Sequence, residues 1–202
     1  MSDGLKRRVN NTIVAIGTST GGPRALQRIL QDLPEDFLAP IVIVQHMPKG
    51  FTKSLAERLN NNCRLRVNEA VHGEVIDPGN VYLAPGGFHM KLKRVGTKTF
   101  IELTKEALYM GHRPSVNLLF QSLAELPYTE KIAVVLTGMG KDGAEGIAQI
   151  KERDTNAIII AESKKSAVID GMPKAAIDTG LTTDIIHLHD IGTSLTKIIN
   201  GR

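Results

Sequence analysis

Apolar residues cluster in short continuous runs, each broken by a polar or glycine-rich stretch. Residues 13–16, 41–44, 81–84, 132–136 and 157–161 are such runs. Continuous runs of four or five, rather than alternating ones, predict strands buried on both faces of a parallel sheet. The segments that follow them change period. Ala25, Leu26, Ile29 and Leu30 recur at helical spacing, as do Phe51, Leu55 and Leu59. Helices are predicted over 116–126, 144–151, 174–178 and 191–199, with Pro23 at a first helical position and Thr52 as an N-cap. Residues 64–70 predict a short strand and 185–188 a late one. Residues 89–93 and the alternating 97–103 predict an antiparallel hairpin. The expected fold class is α/β: a doubly wound, mainly parallel sheet with helices on both faces and an inserted antiparallel β-hairpin.

Three predicted strands end in unusual chemistry, and parallel sheets gather functional groups at their carboxyl ends. Ser19 follows the first strand within Gly17-x-Ser19-x-Gly21. That spacing suits a sharp strand–helix turn presenting a hydroxyl beside a helix N-terminus. A glycine-rich turn with an idle serine fits the spacing equally well. His46 follows the second strand, and Asp142 lies past a later one in Thr137-Gly138-Met139-Gly140-Lys141-Asp142-Gly143. Alone, His46 reads as a loop histidine and Asp142 as a turn aspartate. Jointly they supply the nucleophile, base and orienting carboxylate of a hydrolytic triad. A dinucleotide site is disfavoured, because Gly-x-Gly-x-x-Gly is missing and the second strand ends in Gln45-His46 rather than an acid. An α/β-hydrolase order, pairing Asp142 with His187 or His189, is disfavoured by the single strand preceding Ser19.

Composition narrows the class. The 202 residues are 42% hydrophobic, enough for one substantial core. No apolar stretch is long enough to span a membrane or serve as a signal peptide, so a cytoplasmic location without membrane insertion is expected. The single cysteine, Cys63, excludes a disulfide framework. Aromatic residues are 4% of the chain, too few for a base-stacking platform, so no nucleic-acid partner is expected. Net charge is +4, which allows an acidic partner. Arg113, in the proline-stiffened His112-Arg113-Pro114-Ser115, is a candidate contact for acidic substrate residues, and Ser115 a candidate helix cap. His187 and His189 would share one face of the late strand, but two ligands do not make a metal site. No metal or cofactor is expected.

The stretches IGTSTGGPRAL, VQHMPKGFTKSLAERL, GNVYLAPGGFHM, GHRPSVNLLFQSLA, VLTGMGKDGAEGI and GMPKAAIDTG together resemble the chemotaxis protein-glutamate methylesterases (CheB), specifically their catalytic domain. The resemblance runs from about residue 13 to 180 in the family's order. It implies hydrolysis of glutamyl methyl esters, and often deamidation of glutamines, on the cytoplasmic helices of methylated chemoreceptors. Carried over by motif, Ser19 is the nucleophile, His46 the base and Asp142 its orienter. The backbone N–H of Met139 is the implied oxyanion donor, with Thr20 contributing. Residues 1–11 read as a tail and 12–202 as the catalytic domain. The phosphoacceptor receiver domain usual in the family is not expected in this chain. Asn117 and Glu162 depart from the family's usual aspartate and glutamine.

Overall fold

The central strands are buried along almost all of their length, so each must satisfy two hydrophobic layers. The computed structural model describes residues 11–201. Its elements run β1 (Thr12–Thr18), α1 (Gly22–Asp32), β2 (Ile41–Gln45), α2 (Phe51–Asn60), β3 (Arg66–Glu69), β4 (Asn80–Leu83), β5 (His89–Val95), β6 (Lys98–Thr104), α3 (Val116–Glu125), β7 (Glu130–Val135), α4 (Ala144–Arg153), β8 (Ile158–Glu162), α5 (Gly171–Asp178), β9 (Asp184–Ile186) and α6 (Leu188–Ile199). Seven strands form one sheet in the order β3-β4-β2-β1-β7-β8-β9, and β5 and β6 pair separately. The large sheet's pairings are parallel, and β5–β6 is antiparallel. The expected fold class is the one observed.

The two-residue period of the strands sorts their side chains into two cores. Ile13, Ala15, Val42, Val44, Ala133 and Val135 point to the layer filled by α3, α4, α5 and the β5–β6 hairpin. Val14, Ile16, Ile41, Ile43, Ile132 and Val134 point to the layer filled by α1, α2 and α6. A fully buried side chain such as Leu26 or Phe120 contributes about 1.5–3 kcal/mol by leaving water. β1 lies at the centre. The chain leaves it for β2 on one side and returns to β7 on the other. The carboxyl ends of β1 and β7 therefore bracket the reversal point where parallel sheets open a crevice.

Local details depart from the pattern reading. The late strand is Asp184–Ile186, and His187 is the N-cap of α6, so His187 and His189 do not alternate on a strand. Thr52 lies inside α2, whose N-cap is Gly50 in the left-handed region (φ 91°). The Thr52 hydroxyl instead donates to Glu69 Oε1 at 2.6 Å and accepts from the Gly86 N–H at 2.9 Å. Pro23 is the second residue of α1, after Gly22. The tail expected over residues 1–11 lies outside the described residues except for Asn11, whose carbonyl accepts from Glu130 N–H at 3.0 Å.

Gly17 marks where α3 presses on β1. A Cβ there would lie 2.2 Å from Val116 Cγ1, at the first turn of α3. Gly17→Ala is expected to cost about 1–3 kcal/mol through overpacking, read as a lower urea midpoint at unchanged slope.

Candidate active site

Ser19 is held by backbone on both sides of the crevice. Its N–H donates to Thr137 O at 3.0 Å, which ties the end of β1 to the loop after β7. Thr18 Oγ1 donates to the same carbonyl at 2.8 Å. The contact is close because Gly138 lacks a side chain: a Cβ there would fall 2.8 Å from Ser19 Cβ and 2.3 Å from Met172 Sδ. The turn continues into α1, whose N-cap Gly21 takes φ 84°. Ser19 thus sits beside a helix N-terminus, and its hydroxyl has no hydrogen-bond partner among the described residues.

His46 arrives by strand register. Thr18 pairs with Gln45 across β1 and β2, so Ser19 and His46 are the next residues on neighbouring strands. His46 N–H donates to Thr18 O at 3.1 Å. The buried Gln45 amide donates to the carbonyls of both Ser19 (3.0 Å) and His46 (3.1 Å), bridging the two backbones. His46 Nε2 lies 2.8 Å from Asp142 Oδ2. Of the expected Ser19–His46–Asp142 chain, the His46–Asp142 link is therefore formed. Ser19 Oγ is not hydrogen-bonded to His46.

Asp142 is a buried carboxylate with both oxygens engaged. Oδ1 accepts from Ser115 Oγ (2.9 Å) and Asn117 N–H (2.8 Å), and Oδ2 accepts from Val116 N–H (2.8 Å) as well as His46. Three of these donors belong to the N-cap and first turn of α3, where helix dipole and free N–H groups favour an anion. Burial works to raise the Asp142 pKa. The hydrogen bond from His46 and the N–H groups of Asn117 and Val116 outweigh it and hold the carboxyl below its ordinary range. An ionised carboxylate only accepts, so the hydrogen in the His46 link sits on Nε2. The other ring nitrogen, Nδ1, is buried, without a partner among the described residues, and carries the lone pair when the ring is neutral.

The backbone N–H groups of Thr20 and Met139 have no hydrogen bond among the described residues, whereas that of Ser19 is committed to Thr137. The loop carrying Met139 is fixed from below. Thr137 N–H donates to Glu162 Oε2 at 2.8 Å, Gly138 N–H to Ile169 O, and Thr137 Oγ1 to Thr20 O at 2.8 Å. Glu162 is fully buried and its Oε1 has no partner among the described residues. Burial pushes its pKa up, against the opposing pull of the Thr137 N–H, the Ser166 hydroxyl and His187.

Arg113 turns its guanidinium to the carbonyls of Lys105 (3.2 Å) and Glu106 (2.8 Å), and it lines a shallow cleft with His46, Met47, Pro48, Leu108 and His112. His187 and His189 are elsewhere: His187 Nδ1 accepts from His189 N–H, and His189 Nδ1 accepts from Arg28 Nε. Neither ring is hydrogen-bonded to Asp142, whose histidine partner is His46. Gln45 and Thr137 carry no signal in the sequence pattern, and Asn117 and Glu162 stand out there only as departures from the family's usual residues. Asn117 is wholly buried, and its Oδ1 accepts from the N–H groups of Gly143 (2.8 Å) and Gly146 (3.0 Å), capping α4 just past Asp142. A serine-histidine-aspartate spacing carries no signal for such supports. A polar residue inside an apolar run, as Asn117 is, was the available hint.

The two buried carboxylates should respond to pH with opposite signs. The Asp142 pKa is lowered by folding, so its stabilisation is complete above the unfolded value of about 4 and is lost as pH falls through the folded value. Asp142→Asn should lower Tm at neutral pH, with the difference shrinking in acid. The Glu162 pKa is raised by folding, so its charge costs stability as pH rises through the folded value. Glu162→Gln, which keeps an acceptor for Thr137, should raise Tm at neutral pH and converge on the parent near pH ~4. Thermal melts across pH check both.

The profile of the CheB methylesterase family matches residues 14–195. The protein-glutamate methylesterase/protein-glutamine glutaminase of Oceanobacillus iheyensis is 51% identical over 192 residues, covering 95% of this chain and 54% of the relative. The protein of the same name from Halalkalibacterium halodurans is 52% identical over 188 residues, covering 93% and 54%. The chain thus spans about half the length of these relatives. The crystal structure of the Thermotoga maritima CheB methylesterase catalytic domain superposes with a TM-score of 0.90 at 45% identity, over 93% of this chain and 98% of that one. In profile, sequence and fold alike, this chain belongs to the CheB methylesterase family.

Proposed function

We propose that residues 12–202 form a serine hydrolase domain that removes methyl groups from glutamyl methyl esters, and ammonia from glutamines, of chemoreceptor helices in the cytoplasm. The observation that carries the reading is the buried His46–Asp142 pair on the strand next to Ser19, its Nδ1 left without a partner. Ser19 Oγ attacks the γ-carbonyl while His46 Nδ1 takes its proton. The imidazolium is held through Nε2–H by Asp142, which stays ionised. The N–H groups of Thr20 and Met139 stabilise the oxyanion. The protonated ring then gives its proton to departing methanol or ammonia, and water releases the acyl-enzyme by the reverse path. Here the base is Nδ1 and the anchor Nε2, the opposite of the usual assignment in serine proteases.

The loops around the crevice carry exposed Lys49, Lys105, Lys141, Lys164 and Lys165. Glu106, on the same rim, is paired with Lys91, and Lys164 lies 3.4 Å from Asp170. This charge suits an acidic receptor segment, with Arg113 shaping the cleft that receives it.

Ser19→Ala and His46→Ala should each lower kcat by about 10⁴-fold, and the double variant little further, as expected of groups acting as one unit. Asp142→Asn should cost no more than either. Methanol release from a methylated receptor fragment measures all four. Losses that multiply independently would reject the triad. Raising salt from ~0.1 M to ~1 M shortens screening from ~10 Å to ~3 Å and should lower kcat/KM in the parent enzyme.

A further inference from the structure

His112 lies flat on His46. Their ring centroids are 3.9 Å apart and their planes differ by 8°. The His112 side chain makes no hydrogen bond among the described residues, so the stack is its principal contact with the site. Its backbone is clipped in place: Tyr109 N–H donates to His112 O at 3.0 Å and His112 N–H to Tyr109 O at 2.9 Å. The turn between them uses Met110 and Gly111 at positive φ (48° and 83°). On the other side, Arg113 O accepts from Gly87 N–H at 3.1 Å, and the Arg113 guanidinium holds the carbonyls of Lys105 and Glu106. The loop is anchored immediately before and after the ring.

We propose that His112 is a positioning residue, a flat clamp that keeps the His46 imidazole in the plane needed to pass a proton between Ser19 and the leaving group. The inference rests on the hydrolase reading above. His46 is fixed from its ring by one hydrogen bond, to Asp142. A single bond leaves the ring free to tilt about it, and tilting changes where Nδ1 points. A parallel ring at van der Waals distance blocks that motion. Displacement of a reacting group by ~1 Å can cost about 10²-fold in rate. The stack also suits the charge that His46 gains during turnover. A neutral aromatic face attracts a cation, whereas a second imidazolium would repel it. Burial and the neighbouring His46 both push the His112 pKa down, against a smaller upward pull from Asp142, which favours the neutral ring.

The test compares His112→Ala, His112→Leu and His112→Phe, with Ser19→Ala as reference, by methanol release from a methylated receptor fragment. His112→Ala should lower kcat by about 10- to 100-fold with KM nearly unchanged. His112→Leu fills the space without a flat face and should show the same loss. If Ala fails to fold, Leu carries this arm. His112→Phe restores a flat ring without nitrogens and should recover most of kcat. Full kcat in Ala or Leu overturns the clamp. So does a Phe variant as impaired as Leu, which would mean the ring nitrogens contact substrate, or a raised KM at unchanged kcat, which would mean binding alone. Retained turnover in Ser19→Ala would instead reject the hydrolase reading itself.

Discussion

A carboxylate that is almost wholly buried must have its lone pairs met, and the arrangement around Asp142 follows from that demand. Four donors converge on it, three of them from the start of α3. Their placement requires α3 to press close to β1, and Gly17 allows the approach. It also requires the loop before α4 to close tightly over α3. Asn117 secures that closure by accepting from Gly143 and Gly146, and a Cβ on Gly146 would fall 2.4 Å from Phe120 Cβ. The helix pair and the charge it holds are one packing unit. Losing any donor leaves a buried anion short of partners, which costs more than the bond itself was worth.

The layout of the fold was legible because the strands are continuous apolar runs and the helices keep their period. Each of the seven sheet strands and the β5–β6 hairpin falls on a stretch whose composition predicts it. The two local misreadings have separate causes. Thr52 has the side chain of an N-cap, yet a glycine in the left-handed region starts that helix, and the hydroxyl is taken by Glu69 and Gly86 across the fold. His187 looks like a strand residue by alternation, but β9 ends at Ile186 and the His187 ring caps α6 by accepting from His189 N–H. Local propensity gives way at Thr52 because distant groups offer a better partner, and at His187 because the ring caps its own helix.

The three residues of the site were legible by type and by position after strands. How they are held was not. Gln45 bridges the carbonyls of Ser19 and His46, and Glu162 supports the Thr137 N–H, so each side chain reaches the loop that follows a neighbouring strand. Neither pairing follows from spacing, because both depend on which strands become neighbours. The ring nitrogen that faces Asp142 is set in the same way, by where the loop before α4 places the carboxylate against the first turn of α3.

The bond from His46 to Asp142 joins residues 96 positions apart, and Thr18 meets the Thr137 carbonyl across 119. During synthesis Ser19 and His46 emerge early, at the ends of adjacent strands, long before Asp142 has been made. A ribosome-bound chain ending before β7 therefore holds Ser19 and His46 without Thr137 and Asp142, their partners in the finished fold. The fold's central reversal therefore sets an order of assembly: the surroundings of Ser19 and His46 are completed only once β7 and the loop after it have been made and packed.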